Sequence, residues 1–202
     1  ISNGSQEKVL IVGADVMSSI IDFEDRATCV LFGDGAGAVL LEPSDGLNGI
    51  IDWILRSDGR GGQSLYMPGG GSLNPSTAET VGKKMHYVHQ NGRNVFKFAV
   101  KGMVEVSQAI LTKNNLTTED LKLYIPHQAN LRIIKSAAKK LQLKESQVVI
   151  NIDRYANTTA GTIPICLSEA VEEGRILDGD LLLLASFGAG FTWGSVLLRW
   201  GT

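Results

Sequence analysis

The sequence predicts an α/β protein built as a duplicated fold, with an incomplete first half and a complete second half. Three observations carry this. Strand-length apolar runs end in glycine, later segments repeat apolar residues at helical steps, and one strand–turn–strand unit occurs near the start and again at the end.

With 44% hydrophobic residues over 202 positions, the chain can bury one good-sized core or two small ones and does not read as disordered. A net charge of −2 gives no global attraction to nucleic acid or anionic membrane, so any basic contact surface must be local. The longest apolar runs, such as Val9 to Val12 and Leu181 to Ala185, fall far short of the roughly 20 residues of a membrane span. Ile1 to Lys8 lacks a basic start followed by an apolar stretch, so no secretory signal is expected. Cys29 and Cys166 are too few for a disulfide framework and lack metal-ligand spacing, which fits a cytosolic, reducing compartment. The sequons at Asn115 and Asn157 are then coincidental.

In chain order, Lys8 to Gly13 reads as a strand buried on both faces, and Thr28 to Phe32 and Gly37 to Leu41 read the same way. Between the last two, Gly33-Asp-Gly-Ala-Gly37 lacks a Cβ at alternate residues, allowing tight turns or close backbone approach. Residues 45–92, rich in Gly, Pro and Ser, are expected to form connecting strands and loops and to be the most mobile part. Apolar residues at three- and four-residue steps predict a helix from Arg93 to Leu111 with Asn94 as N-cap. Leu121 to Ile125 and Gln147 to Ile150 read as strands, and Leu131 to Leu141 as a helix. A helix from Ile163 to Glu173 tolerates Pro164 in its first turn and has Gly174 as its C′ residue. Asp180 to Ala185 and Ser195 to Trp200 are the closing strands.

The repeat sets the domain reading. Val9-Leu-Ile-Val-Gly13 followed by Phe32-Gly-Asp-Gly and Val39-Leu-Leu41 parallels Leu181 to Ala185 followed by Phe187-Gly-Ala-Gly190 and Val196-Leu-Leu198. If this unit closes each half, residues 1–42 end one half and residues 43–202, with connecting loops 45–92, form the other. The first half is then short by something on the order of 110 residues.

His86 and His89 lie in a polar stretch. His127 instead follows Leu121 to Ile125 and Pro126 and precedes a helix, and Asn157 follows another expected strand and precedes another helix. Such strand-to-helix junctions are where open α/β sheets gather ligands and catalytic groups. A neutral imidazole and a carboxamide can each donate an N–H to an oxygen on which negative charge develops. Asn cannot take a proton, so the pair suits enolate or oxyanion stabilisation better than simple hydrolysis. From the residues alone, a helix cap or a backbone bond for His127 and a turn for Asn157 remain open.

Ile125-Pro-His-Gln-Ala-Asn-Leu-Arg132, Arg154-Tyr-Ala-Asn157-Thr-Thr and Phe187-Gly-Ala-Gly-Phe-Thr-Trp-Gly194, in that order and spacing, resemble signature segments of the β-ketoacyl-acyl-carrier-protein synthase III family. Asp25-Arg-Ala-Thr28 and Phe32-Gly-Asp-Gly-Ala-Gly37 match it as well. The resemblance covers essentially the whole chain and implies a thiolase-like α-β-α-β-α layering, of which this sequence holds the C-terminal two-thirds. It implies an acyltransferase that condenses an acyl-CoA starter with malonyl-acyl-carrier protein, with loss of carbon dioxide, to begin fatty-acid synthesis. It further implies a Cys-His-Asn site in which His127 and Asn157 polarise the malonyl thioester, and a second oxyanion hole using the backbone amide of Ala189, where the family usually has Gly. Arg26 resembles the contact to the CoA nucleotide, and Gly92, Phe96 and Asn130 the pantetheine tunnel. Lys97, Arg132, Lys139 and Lys140 resemble a surface that docks acidic acyl carrier protein.

The nucleophilic cysteine has no match here. Cys29 and Cys166 lie in apolar surroundings and read as core residues; the resemblance puts the reactive cysteine on a missing N-terminal fragment, without which the chain should be inert. It also implies a homodimer in the bacterial cytoplasm or plastid stroma, with CoA thioester as substrate and no resident cofactor or metal. Two alternatives stand beside this: a starter-unit condensing enzyme of secondary metabolism, and a non-catalytic CoA-binding or interaction subunit. A nucleotide-binding reading of Gly33 to Gly37 is weakest, because the spacing is not G-x-G-x-x-G and a strand follows.

Overall fold

A computed structural model describes residues 1–44 and 46–201. Asp45, the expected start of the Gly-, Pro- and Ser-rich segment, and Thr202 lie outside the described residues. The strands are β1 (Val9–Asp15), β2 (Gly35–Leu41), β3 (Gly49–Ser57), β4 (Leu65–Tyr66), β5 (His89–Gln90), β6 (Leu123–Pro126), β7 (Leu181–Gly188) and β8 (Thr192–Arg199). The α-helices are α1 (Ala78–Gly82), α2 (Gly92–Lys113), α3 (Leu131–Lys140), α4 (Ile152–Tyr155) and α5 (Thr162–Glu172).

Four strands form the main sheet in the order β3-β8-β7-β6, with β6 parallel to β7 and the other neighbours antiparallel. One face is covered by α2 and α3. Val106, Ile110 and Met103 of α2 and Ile134 of α3 pack there with Leu183, Leu197 and Tyr124, all fully or almost fully buried. Burying each such aliphatic side chain contributes about 1.5–3 kcal/mol. Gly102 lets α2 settle onto the sheet, since a Cβ there would stand 3.1 Å from the Trp193 ring. The other face meets α5, whose Cys166, Leu167 and Ala170 pack with Leu123, Ile125 and Leu182. Beyond α5 lies a separate two-stranded sheet of β1 and β2, with Val39 reaching the same cluster. The layers therefore run helix, sheet, helix, sheet.

That second sheet stands close to the segment preceding α5 because it lacks side chains where they would clash. A Cβ on Gly13 would lie 2.3 Å from the Ala160 carbonyl oxygen, and one on Gly37 would lie 2.8 Å from the Pro164 ring. The close approach expected of the Gly33 to Gly37 run is borne out.

Several expectations need correction. Helix α2 starts earlier, with Asn91 rather than Asn94 as N-cap: Asn91 Oδ1 accepts the Asn94 N–H at 3.2 Å. Residues 28–31 form turns instead of a strand, because Asp25 accepts from the Ala27 N–H and the Thr28 hydroxyl and winds the chain there, and Phe32 adds only an isolated bridge to Asn157. Gln147 to Ile150 contributes only an isolated bridge, Val148 to Tyr124, after a turn of 3₁₀ helix at Glu145–Gln147. Strands β1 and β2 are not buried on both faces: Leu10 is 63% and Val12 59% exposed, because among the described residues only one face of this sheet is packed, by α5 and the segment before it.

Candidate active site

The carboxyl ends of β6 and β7 open into a cavity of about 880 Å³, the position at which open sheets collect ligands. His127 follows β6 directly, and its backbone N–H donates to the Ala185 carbonyl at 2.8 Å, tying it to β7. Asn157 enters from the loop between α4 and α5. Its N–H donates to the Leu31 carbonyl at 3.0 Å, and its own carbonyl accepts from the Gly33 N–H at 3.0 Å. The structure brings both side chains to the wall of one cavity.

Each donor has one end occupied. His127 Nδ1 is 2.6 Å from the hydroxyl of Thr162, in the first turn of α5. Asn157 Oδ1 accepts the Thr159 N–H at 2.9 Å, so its NH₂ group is the end left for the cavity. The turn that the sequence left open for Asn157 is therefore real, and it orients the amide. His127, by contrast, neither caps a helix nor bonds a backbone carbonyl through its ring; α3 is capped by Asn130, whose Oδ1 accepts from the Arg132 N–H at 2.9 Å. Burial pushes the His127 imidazole down to about 4, so it is neutral at pH 7 and keeps one N–H.

The loop carrying Asn157 is braced from both sides. Glu169 of α5 accepts from Asn151 Nδ2 at 2.8 Å, Arg154 at 2.8 Å and the Tyr155 hydroxyl at 2.6 Å. Asp15, at the end of β1, accepts from the Thr159 hydroxyl and from the Ala160 N–H. Thr159 has a φ of 49°, a left-handed conformation that these contacts hold in place.

The lining is mainly apolar, and its only charged residues are Arg93 and Arg132, with no carboxylate among the described residues. The first turns of α2 and α3 also face it, through Gly92 and Arg93 and through Arg132, adding the positive ends of two helix dipoles. The site is thus electropositive at its polar edge and apolar elsewhere, and an apolar surrounding strengthens any hydrogen bond to a developing oxyanion.

The other expected residues divide. Gly92, Phe96, Asn130 and Ala189 line the cavity, and the Arg132 guanidinium lies 5.5 Å from the centre of the Phe96 ring. Ala189 does not need a positive φ, so its methyl group is compatible with the loop. Arg26 is exposed and only its neighbour Ala27 touches the cavity. Lys97 is exposed on α2 outside the lining. Lys139 and Lys140 are exposed at the opposite end of α3 from Arg132, about 10–12 Å along the helix. Neither cysteine reaches the cavity: Cys29 is half-buried in a turn, while Cys166 is buried, its Sγ donating to Asn151 Oδ1 at 3.2 Å. His86 and His89 also lie outside it.

Sequence reasoning missed Arg93 and Thr162. Arg93 could have been found as the one cation in the first turn of a helix beside Gly92; Thr162 carries no local signal, because its partner is 35 residues away.

Among the described residues, no group of three or more His, Cys, Asp or Glu side chains could hold a metal ion, and no helix is long and apolar enough to cross a membrane. Residues 111–200 match the family model described as 3-oxoacyl-[acyl-carrier-protein (ACP)] synthase III C terminal, and residues 1–59 match the one described as 3-oxoacyl-[acyl-carrier-protein (ACP)] synthase III. The chain is 56% identical over 202 residues to a protein of Koribacter versatilis named beta-ketoacyl-[acyl-carrier-protein] synthase III, covering 99% of this chain and 61% of that one. Among solved structures, the synthase III of Thermus thermophilus is 44% identical with a TM-score of 0.89, over 99% of this chain and 61% of that one. The synthase III of Aquifex aeolicus is 40% identical with a TM-score of 0.89, over 98% and 60%. The chain spans about three-fifths of the length of these relatives.

Proposed function

Because the chain belongs to the 3-oxoacyl-[acyl-carrier-protein] synthase III family, we propose that the whole protein condenses an acyl-CoA starter with malonyl-acyl-carrier protein and begins fatty-acid synthesis. In this reading residues 1–42 end one half of a duplicated fold and residues 43–202 form the other. The nucleophilic cysteine belongs to the part of the protein outside this sequence, and it carries the starter as a thioester. The protein acts as a homodimer in the bacterial cytoplasm or plastid stroma, with no resident cofactor.

The chemistry assigned to this chain is the decarboxylating half. His127 and the Asn157 NH₂ donate to the malonyl thioester oxygen. The electron pair of the breaking carbon–carboxylate bond is held as an enolate while carbon dioxide leaves. The enolate carbon then attacks the acyl-cysteine, the Ala189 N–H helps to hold the tetrahedral oxyanion, and the intermediate collapses by expelling the cysteine thiolate. Arg26 contacts the CoA nucleotide. Gly92, Phe96 and Asn130 line the pantetheine path, and Lys97, Arg132, Lys139 and Lys140 receive the acidic carrier protein.

One observation carries the reading: a neutral imidazole and a carboxamide share one cavity, each with its second polar atom engaged elsewhere. Such an arrangement stabilises negative charge without accepting a proton. The test is His127→Ala in the whole protein. Carbon dioxide release from the malonyl thioester should be abolished while the cysteine still takes the acyl group from acyl-CoA. Release at a near-wild-type rate would overturn the role of His127.

A further inference from the structure

The imidazole of His127 is useful as a hydrogen-bond donor toward the cavity only if its proton sits on Nε2, and a neutral ring leaves that choice to its surroundings. Nδ1 meets one side-chain group, the Thr162 hydroxyl at 2.6 Å, inside the protein where both residues are buried. That hydroxyl has one proton and two acceptors within reach, Nδ1 and the Thr159 carbonyl oxygen at 3.0 Å. If the proton goes to Thr159, Nδ1 must carry the ring proton and Nε2 presents a lone pair to the cavity. If it goes to Nδ1, Nε2 carries the proton and donates.

The distances decide between them. An N–H donor to oxygen prefers about 2.9–3.0 Å and rarely comes below about 2.7 Å. At 2.6 Å the short contact lies below that range, which favours the hydroxyl as its donor, and the 3.0 Å contact to Thr159 is the longer competitor. The β-branched side chain sits in the first turn of α5, where few rotamers are open to it, so the oxygen is held in place.

We propose that Thr162 is a positioning residue that holds His127 as the Nε2–H tautomer and thereby makes it a donor toward the cavity. This rests on the reading of His127 as an oxyanion donor, but the tautomer can be observed without any turnover. Because Thr159 also orients Asn157 through its N–H, the short segment from Asn157 to Thr162 sets the hydrogen-bonding direction of both donors.

The experiment uses the whole protein with ¹⁵N-labelled histidine, read by NMR at pH 7. The His127 ring should show a bare Nδ1 and a protonated Nε2. Thr162→Val, which keeps the shape and removes the hydroxyl, takes away the proton donated to Nδ1 and should move the Nδ1 resonance to that of a bare nitrogen without a hydrogen bond. It should also lower kcat for malonyl decarboxylation about 10- to 100-fold, with little change in KM or in acylation of the cysteine. Thr162→Ser should restore both readouts. A protonated Nδ1 in the wild-type protein overturns the proposal even if no variant folds. So does a Thr162→Val protein whose Nδ1 resonance is that of the wild type. A changed Nδ1 resonance with unchanged decarboxylation would sustain the role of Thr162 and count instead against His127 as the donor.

Discussion

The side-chain oxygen of Asn157 accepts the backbone N–H of Thr159 at 2.9 Å, and this bond points the NH₂ of Asn157 away from its own turn. Replacing the amide by a carboxylate keeps that acceptor and removes the donor. Asn157→Asp in the whole protein should therefore fold with little change in Tm but lose decarboxylation by about 10²–10³-fold, the scale of one oxyanion donor. Carbon dioxide release and a thermal melt on the same sample check both statements.

Gly13 marks how closely the two sheets' neighbours approach. A methyl group there would stand 2.3 Å from the Ala160 carbonyl oxygen, a backbone atom that cannot rotate away. Gly13→Ala should lower stability by about 1–3 kcal/mol and, by displacing the segment next to Asn157, reduce activity as well. Gly82→Ala, with nothing within 4 Å of the added carbon, is the matching control and should leave both unchanged. Chemical denaturation of the three proteins makes the comparison.

Burial lowers the His127 imidazole from 6.5 to about 4. Between those values the unfolded chain binds a proton that the folded one does not. The stability tied to this group is therefore fully present above pH 6.5 and is lost as pH falls toward 4, by about 3 kcal/mol in all. In the whole protein other groups titrate too, so the measurement is the difference between wild type and His127→Gln. The wild type should lose stability relative to the variant as pH drops through that window.

Cys166 is buried, and desolvation, with the nearby Glu169 charge adding to it, pushes its thiol up to about 12. At pH 8 it should resist disulfide reagents that label the half-buried Cys29, and it should react only after unfolding. Peptide mapping by mass spectrometry after timed labelling reads the two sites separately. Early modification of Cys166 would contradict its burial.

How much was legible follows from where each signal lives. The apolar stripe of α2 is local, so Val95, Ala99, Val106 and Ile110 mark the helix without help from the rest of the chain. The β7 and β8 pair was legible for the same reason, as was the need for glycine between residues 33 and 37. The position of β3 was not: its run is broken by Asp52, its register slips between Ile50 and Asp52, and as an edge strand it leaves Trp53 and Leu55 exposed. The turns at residues 28–31 were hidden by β-forming residues that the Asp25 carboxylate overrides. At the site, the junction after β6 marked His127 as a candidate, whereas Asn157 was read as following a strand at residues 147–150 that the structure reduces to a single bridge, and the residues alone left a cap and a turn open. Thr162 and Asp15 were not legible, because their effect depends on partners brought near only by the fold.

Asn157 is gripped on both sides of its backbone by Leu31 and Gly33, residues far from it in sequence, whereas the direction of its amide is set locally by the Thr159 N–H. Place and direction of this donor therefore have separate origins: a change at residues 31–33 should displace the amide without turning it, and a change at Thr159 should turn it without displacing it.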